Sequence, residues 1–377
     1  MPELEITSLP WWMYAVGFLL MLGPLVVVHE LGHYLVGRYF GVGAEAFSVG
    51  FGKELAGYTD KRGTRWKLSA LPFGGYVQFR GDMNPASIPD PDNPPPADAF
   101  QTKPLWQKSL IVAAGPVTNI LVAIAIFAAF FMAFGKPLAA DPSQENYIAA
   151  ISEDSGAEAA GLEVGDRIVA IDGEELADFR DLQRTVMLYP SRTWDITVER
   201  DGGEVILPVT SQPFEITDEF GNTSIIGRLG VETRPTERAF EDVGVFESIG
   251  LATAETWDMF ELIVLGIKQI IVGDRSVDEL GGPITIAKVS GERLSLGWLE
   301  FVSFAALISI NLAFINLLPI PALDGGHLAF YAVEAIRRRP ASPRSQELAF
   351  RAGIAVVLAL MVFVTLIDVA KLPVFGS

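Results

Sequence analysis

The chain of 377 residues reads as a polytopic α-helical membrane protein with four transmembrane helices, a membrane-associated β element and one inserted, mainly β domain. Three observations predict this class. Half of the residues are hydrophobic and mean hydropathy is positive. Four apolar stretches are each long enough, at about 20 residues, to cross a bilayer as a helix. Between the second and third lies an acidic interval with strand-and-turn patterning. The net charge of −18 argues against nucleic acid as a partner. There are no cysteines, so thiolate ligation and disulfides are excluded and a metal must use His, Asp, Glu or Asn.

Residues 1–40 hold the first span. Its apolar run, residues 9–28, has no charge from Trp11 onward, and Trp11, Trp12 and Tyr14 form an interfacial belt. A cleaved signal peptide would need a basic start and an A-x-A-like site, and neither is present. The run ends in His29-Glu30-Leu31-Gly32-His33. Helical residues four apart share a face, so His29 and His33 can address one metal ion, with Glu30 in reach of a water bound to it. This is the zinc metallopeptidase arrangement. H-E-x-x-H fixes only three positions and also arises by chance. Here, however, it takes two of the three histidines, at the end of an uncharged run where ionisable groups are costly.

Residues 41–108 carry Arg38-adjacent basic character: Lys53, Lys61, Arg62, Arg65, Lys67, Arg80, Lys103 and Lys108. Phe47-Ser48-Val49-Gly50-Phe51-Gly52 and Leu71-Pro72-Phe73-Gly74-Gly75-Tyr76-Val77 bracket Trp66-Lys67-Leu68-Ser69, which predicts a small sheet or hairpin near the membrane. Residues 83–104, rich in Pro and Asp, read as a flexible loop. The second span lies in residues 109–138. It contains Gly115-Pro116 and Asn119; small residues let helices approach closely, and a buried Asn wants a partner.

Residues 141–242 hold 23 acidic and 8 basic residues, most of the net charge. Within the domain at residues 139–212, Gly161-Leu162-Glu163-Val164-Gly165-Asp166-Arg167-Ile168 runs on to Ile171-Asp172-Gly173. A helical stretch at 179–188 follows, then a strand at 194–200, the turn Asp201-Gly202-Gly203 and a strand at 205–209. This pattern resembles a PDZ domain of the bacterial protease type, which implies capture of extended peptide ends at a sheet edge. A generic small β domain is the plainer reading. One copy is found. Residues 213–295 read as amphipathic, membrane-surface helices, because Glu247, Glu255, Asp258, Glu261 and Lys268 interrupt the apolar run.

Residues 296–330 hold the third span, with Asn311 and Asn316, broken by Pro319-Ile320-Pro321 and followed by Asp324-Gly325-Gly326-His327. Residues 331–377 comprise a basic loop and the fourth span. The Lys/Arg-rich connections, 38–108 and 337–351, should be cytoplasmic, leaving the N-terminus and the acidic domain outside. His29, His33 and Asp324 then reach similar depth on one side. Asp-Gly-Gly alone is turn chemistry, but this shared depth makes Asp324 the leading third ligand, with a fourth position left for water. His327 is expected to act beside the site rather than as a ligand.

The chain resembles a site-2 protease of the bacterial regulator-of-sigma-E protease type. The resemblance rests on His29-Glu30-Leu31-Gly32-His33, Gly50-Phe51-Gly52, Pro72-Phe73-Gly74-Gly75-Tyr76-Val77, Ala114-Gly115-Pro116-Val117-Thr118-Asn119, Gly282-Pro283-Ile284-Thr285-Ile286-Ala287 and Asn316-Leu317-Leu318-Pro319-Ile320-Pro321-Ala322-Leu323-Asp324-Gly325-Gly326-His327, in order along the whole chain. It implies an intramembrane zinc protease of the inner membrane that cleaves the transmembrane segments of single-pass membrane proteins after a first outer cut, an anti-sigma factor for example. It implies Zn2+ on His29, His33 and Asp324, Glu30 as catalytic base, and substrate contacts from Asn311, Asn316 and the Gly50, Phe51, Gly52 element. One departure is the single PDZ-like domain, where the best-studied enterobacterial type has two. This leaves open how substrates are filtered and whether an anti-sigma factor is the substrate. A PDZ-bearing scaffold with a vestigial zinc site is the alternative, and intact Glu30 argues against it. A metal transporter would show repeated halves, and none are found.

Overall fold

The computed structural model describes residues 9–81, 96–137, 146–176, 179–217, 223–233, 240–273, 277, 280–339 and 342–371. These fall into two compact units, one of residues 131–244 and one of residues 9–130 with 245–377. The greater part of the expected loop at 83–104 lies outside the described residues.

The larger unit begins with α1, Trp11–Tyr39, which carries the uncharged run and the H-E-x-x-H motif in one helix. It leads into β1, Ala44–Thr59, and β2, Arg65–Phe79, the expected β element. The pair is folded over on itself. Phe47 lies opposite both Val77 and Trp66, Ser48 opposite both Tyr76 and Lys67, and Tyr58 returns to meet Trp66. The bend falls at Gly50 and Gly52, with φ of +87° and +88°, a region other residues enter at a cost. Tyr34, Phe47, Phe79, Phe100 and Ile111 bury one side of the element against the helices. Beyond Phe51 the outer residues of β1 are exposed, Leu55 and Tyr58 among them.

Next comes α2, Leu105–Phe134, with Pro116 inside it. Helix α5 (numbered after two helices of the smaller unit) is Val245–Val272. It is followed by α6, Pro283–Leu296; α7, Trp298–Leu317; α8, Asp324–Arg337; and α9, Pro343–Ala370. Among the described residues, four helical segments are long and apolar enough to cross a membrane: Trp11–Tyr39, Leu105–Phe134, Trp298–Leu317 and Arg344–Ala370. These are the four expected spans. Helix α5 is a single continuous helix whose Met259, Phe260 and Ile263 pack on Ala123, Ala306 and Ile310. Far along the chain, Asp368 of α9 accepts hydrogen bonds from Gly282 N (3.0 Å), Ile284 N (2.9 Å) and Thr285 N (3.1 Å). A carboxylate thus caps the orphan donors at the start of α6.

Two expected boundaries are corrected. The basic loop from residue 331 is almost entirely helical: Arg337 ends α8, Arg338 takes a left-handed cap, and Arg344 and Arg351 lie on α9. A Pro at the first turn of α9 restarts the helix at once. The helical interval from residue 213 instead begins with strands, described next.

In the smaller unit a four-stranded antiparallel sheet has the order β6-β5-β7-β8. Its strands are β5, Arg167–Ile171; β6, Glu174–Glu175; β7, Thr193–Arg200; and β8, Gly203–Thr210. Helix α4, Phe179–Met187, buries Leu182 and Val186 in a core shared with Ile168, Trp194, Ile196 and Val198. Further pairs join β9, Gln212–Thr217, to β10, Thr223–Arg228, and β4, Ile148–Ile151, to β11, Val231–Thr233. A short pair, β3 at Lys136–Pro137 with β12 at Phe240–Glu241, and the four-residue α3, Gly156–Ala159, complete the unit. Leu229 belongs to the same core as Ile148, so the unit needs residues well beyond 212. The β character of β11 comes from pairing with β4, a partner far back in the chain, whereas β9 and β10 pair with each other and β12 pairs with β3.

Asp166 ties this unit together. It accepts from Arg200 Nε at 2.7 Å, Arg200 Nη2 at 2.6 Å and Glu163 N at 2.8 Å. Burial alone would raise its carboxyl, but the Arg200 hydrogen bonds, Glu163 N and the guanidinium charge hold it below the usual carboxylate range. Its stabilisation is therefore complete above the unfolded value of about 3.9 and is lost as pH falls through the lower folded value. Asp166→Asn should destabilise the unit by about 1–3 kcal/mol at pH 7, read as faster amide exchange in β5 and β7. The gap from wild type should close at acid pH.

Candidate metal centre

His29 and His33 lie one turn apart on α1 and are 7% and 9% exposed. Their Nε2 atoms are 3.2 Å from each other. Asp324 Oδ2, at the first residue of α8, is 3.2 Å from His29 Nε2 and 3.4 Å from His33 Nε2. Donors about 2.0–2.1 Å from a tetrahedral zinc stand about 3.3–3.4 Å apart. The three atoms therefore form one triangular face of such a tetrahedron. Asp324 Oδ2 is also buried and takes no hydrogen bond. A bare buried carboxylate oxygen between two imidazoles is costly, and a divalent cation removes that cost. The donor set and its spacing fit zinc.

The two glycines after Asp324 are helical. A Cβ at Gly325 would run into the carbonyl oxygens of Leu317 and Leu318, and one at Gly326 into that of Ile320. Asp-Gly-Gly here is a close-packing device rather than a turn. It lets α8 start directly under the end of α7, which sets the depth of Asp324.

Helix α2 forms the other wall. His33 Nδ1 donates to Ile111 O at 2.9 Å, so its Nε2 keeps a lone pair for a metal. A Cβ at Gly115 would fall against His33 Nε2 and lie 2.7 Å from His29 Nε2. Any side chain at 115 would intrude where the two histidines converge. Asn119 is fully buried, with Nδ2 3.3 Å from His29 Nδ1.

A cavity of about 280 Å³ opens on these residues, with Glu30, Tyr76, Asn316, His327 and Tyr331 in its wall. Glu30 Oε2 accepts from Val77 N at 3.1 Å, which joins the β element to the site. Asn311, Gly50, Phe51 and Gly52 do not line the cavity among the described residues. Phe51 stacks on Tyr76 at 5.8 Å between centroids, so this element meets the cavity through Tyr76. At this site Ile111 and Gly115 were not expected, Gly115 having been read only as a residue of close helix approach, nor were Tyr76, read as part of the hairpin, and Tyr331. The signal for the first two was the spacing of Ile111, Gly115 and Asn119, four residues apart on one helix face.

Apolar spans surrounding a buried two-histidine, one-carboxylate cluster, with a glutamate beside it and a cavity in front, define a membrane-embedded metallohydrolase class. Residues 17–360 match the profile of Peptidase family M50. A protein of Agrobacterium fabrum named "Putative zinc metalloprotease Atu1380" is 43% identical over 367 residues, covering 95% of this chain and 96% of its own. A Rhizobium meliloti protein with a name of the same kind is 44% identical over 360 residues, 93% and 95% of the two chains. "Metalloprotease MmpA" of Caulobacter vibrioides is 36% identical over 399 residues, 96% and 98% of the two chains. The chain belongs to peptidase family M50, the site-2 protease family of zinc metalloendopeptidases.

Overpacking a fitted site costs about 1–3 kcal/mol. Gly115→Ala should thus weaken zinc binding by about tenfold or more, measured by chelator competition. Gly23→Ala on α1, where a Cβ meets nothing within 4 Å, should bind like wild type. Full zinc occupancy at wild-type affinity in Gly115→Ala would contradict this geometry.

Proposed function

We propose that this protein hydrolyses a peptide bond within or near the transmembrane segment of single-pass membrane proteins, with zinc held by His29, His33 and Asp324. The observation that carries this reading is the triangle of donor atoms, 3.2–3.4 Å on a side, inside a bundle of apolar helices. Bound zinc lowers the pKa of a water towards about 7 and polarises the scissile carbonyl. Glu30 takes the proton of the attacking water. A tetrahedral intermediate forms, the C–N bond breaks, and Glu30 returns the proton to the leaving amine. Asn316, in the cavity wall, donates to the developing oxyanion.

A substrate helix must unwind locally before its carbonyls are open to attack, and bare backbone in lipid is expensive. The β element is suited to receive it. Its outer residues present exposed Phe51, Leu55, Tyr58, Leu68 and Leu71, as an element at a membrane edge would. An extended substrate strand added there brings its backbone groups to β partners. Gly50, Phe51 and Gly52 shape that surface.

The basic connections support a site at the cytoplasmic side of the inner membrane, with the acidic unit outside. We read that unit as a PDZ domain that screens or docks substrate ends after a first outer cut, as in regulated intramembrane proteolysis; an anti-sigma factor is one such substrate. The antiparallel sheet, the buried helix α4 and the pairing of β11 with β4 support this reading.

Glu30→Gln should retain zinc and lose about a hundred- to ten-thousand-fold in cleavage of a reconstituted transmembrane substrate. Asp324→Ala should lose zinc as well as activity. Wild-type cleavage by the first variant, or stoichiometric zinc in the second, would overturn the assignment. For the outer unit, removal of residues 146–233 should leave cleavage of short stubs intact and relax rejection of substrates with intact outer domains. An unchanged preference for stubs would remove the screening role.

A further inference from the structure

We infer that Asn119 is a positioning residue of the metal centre: its side-chain oxygen accepts the Nδ1–H of His29 and so turns the His29 Nε2 lone pair toward the metal. This rests on His29 being a ligand, as proposed above.

To bind a metal through Nε2, a neutral imidazole must carry its proton on Nδ1. Metal-bound histidines almost always donate that second N–H to an acceptor. His33 has such an acceptor in Ile111 O, at 2.9 Å. For His29 the group beside Nδ1 is the Asn119 side chain, 3.3 Å away. Placed with its nitrogen toward the ring, the amide would donate to Nδ1 and force the ring proton onto Nε2. That N–H would point into the space shared with His33 Nε2 and Asp324 Oδ2 and would close the site. Oxygen and nitrogen of an amide exchange places by a half-turn, and their assignment follows the hydrogen-bond network. With the half-turn made, Oδ1 accepts from His29 Nδ1–H and both histidines present lone pairs to one point.

The rest of the site holds Asn119 where this requires. Its backbone oxygen accepts from Ser309 Oγ of α7 at 2.9 Å, and both residues are fully buried. Ile111, Gly115 and Asn119 share one face of α2. One face therefore supplies an acceptor for each histidine and, between them, the gap that a Cβ would fill. Helix α2 gives no ligand and yet sets the proton positions of two.

The test uses the full-length protein in detergent. Zinc affinity by chelator competition should fall about 10–100-fold in Asn119→Leu. In Asn119→Asp it should stay near wild type, because an ionised carboxylate can only accept the ring proton. Asp as weak as Leu, with unfolding midpoints alike, would overturn the inference, as would wild-type affinity in Leu. Wild-type protein provides a second reading independent of any variant's folding. With only three histidines in the chain, 15N-labelled imidazoles can be resolved and assigned by His→Gln variants. His29 should show Nδ1–H with Nε2 bound to zinc; a protonated Nε2 or a metal on Nδ1 would overturn the inference. His29→Ala separates the two levels. If it binds zinc like wild type, the ligand assignment fails; if it loses zinc while Asn119→Leu does not, only the role of Asn119 fails.

Discussion

Three electron-rich atoms, His29 Nε2, His33 Nε2 and Asp324 Oδ2, stand within 3.2–3.4 Å of each other. They do so among apolar helices. Without a cation, their lone pairs face one another and Asp324 Oδ2 has no donor. The arrangement is held by the stiffness of what surrounds it. One helix carries both histidines, a second abuts them without a side chain at Gly115, and a short helix begins at Asp324 because two glycines let it touch the end of its predecessor. Metal binding then releases a cost that the fold has already met, which is how a preformed site gains affinity.

The same constraint explains the polar groups inside the larger unit. Ile111 O, Asn119, Thr118 and Ser309 would each be a liability on a lipid-facing surface. Here they bond with each other, with backbone or with the histidines. Polar groups at this depth keep their places by being satisfied internally. Asp368 follows the same rule at another position, since its carboxylate meets the free N–H groups that open α6. The β element touches the site through Glu30 and Val77 N and through the Phe51–Tyr76 stack. A change in how a strand lies along β2 would therefore be felt at the glutamate.

The smaller unit is built on different principles. Its core is a sheet and helix of ordinary soluble type, with Trp194, Ile196 and Val198 at the centre. Some of its charge is paired locally, as in Arg200 with Asp166 and Glu163.

What depends on neighbours in the chain was legible in the residues themselves. Uninterrupted apolar runs identified the four spans, the i, i+4 spacing of His29 and His33 identified one helix face, and Gly-punctuated alternation identified the β element and the sheet from Arg167 to Thr210. Where a partner is remote, local pattern was silent. Strand β11 exists because β4 and the core around Ile148 accept it, and nothing in its own three residues outweighed a helical reading. The glycines after Asp324 resembled a turn because only packing against Leu317 and Ile320 reveals their purpose. Asn119 could be singled out as a buried amide, but its partner, His29, sits on another helix. Only the tertiary structure brought Gly115, Asn119 and Asp324 to one point. Hydrogen bonds and close contacts between helices are short-ranged in space and carry no period along the chain.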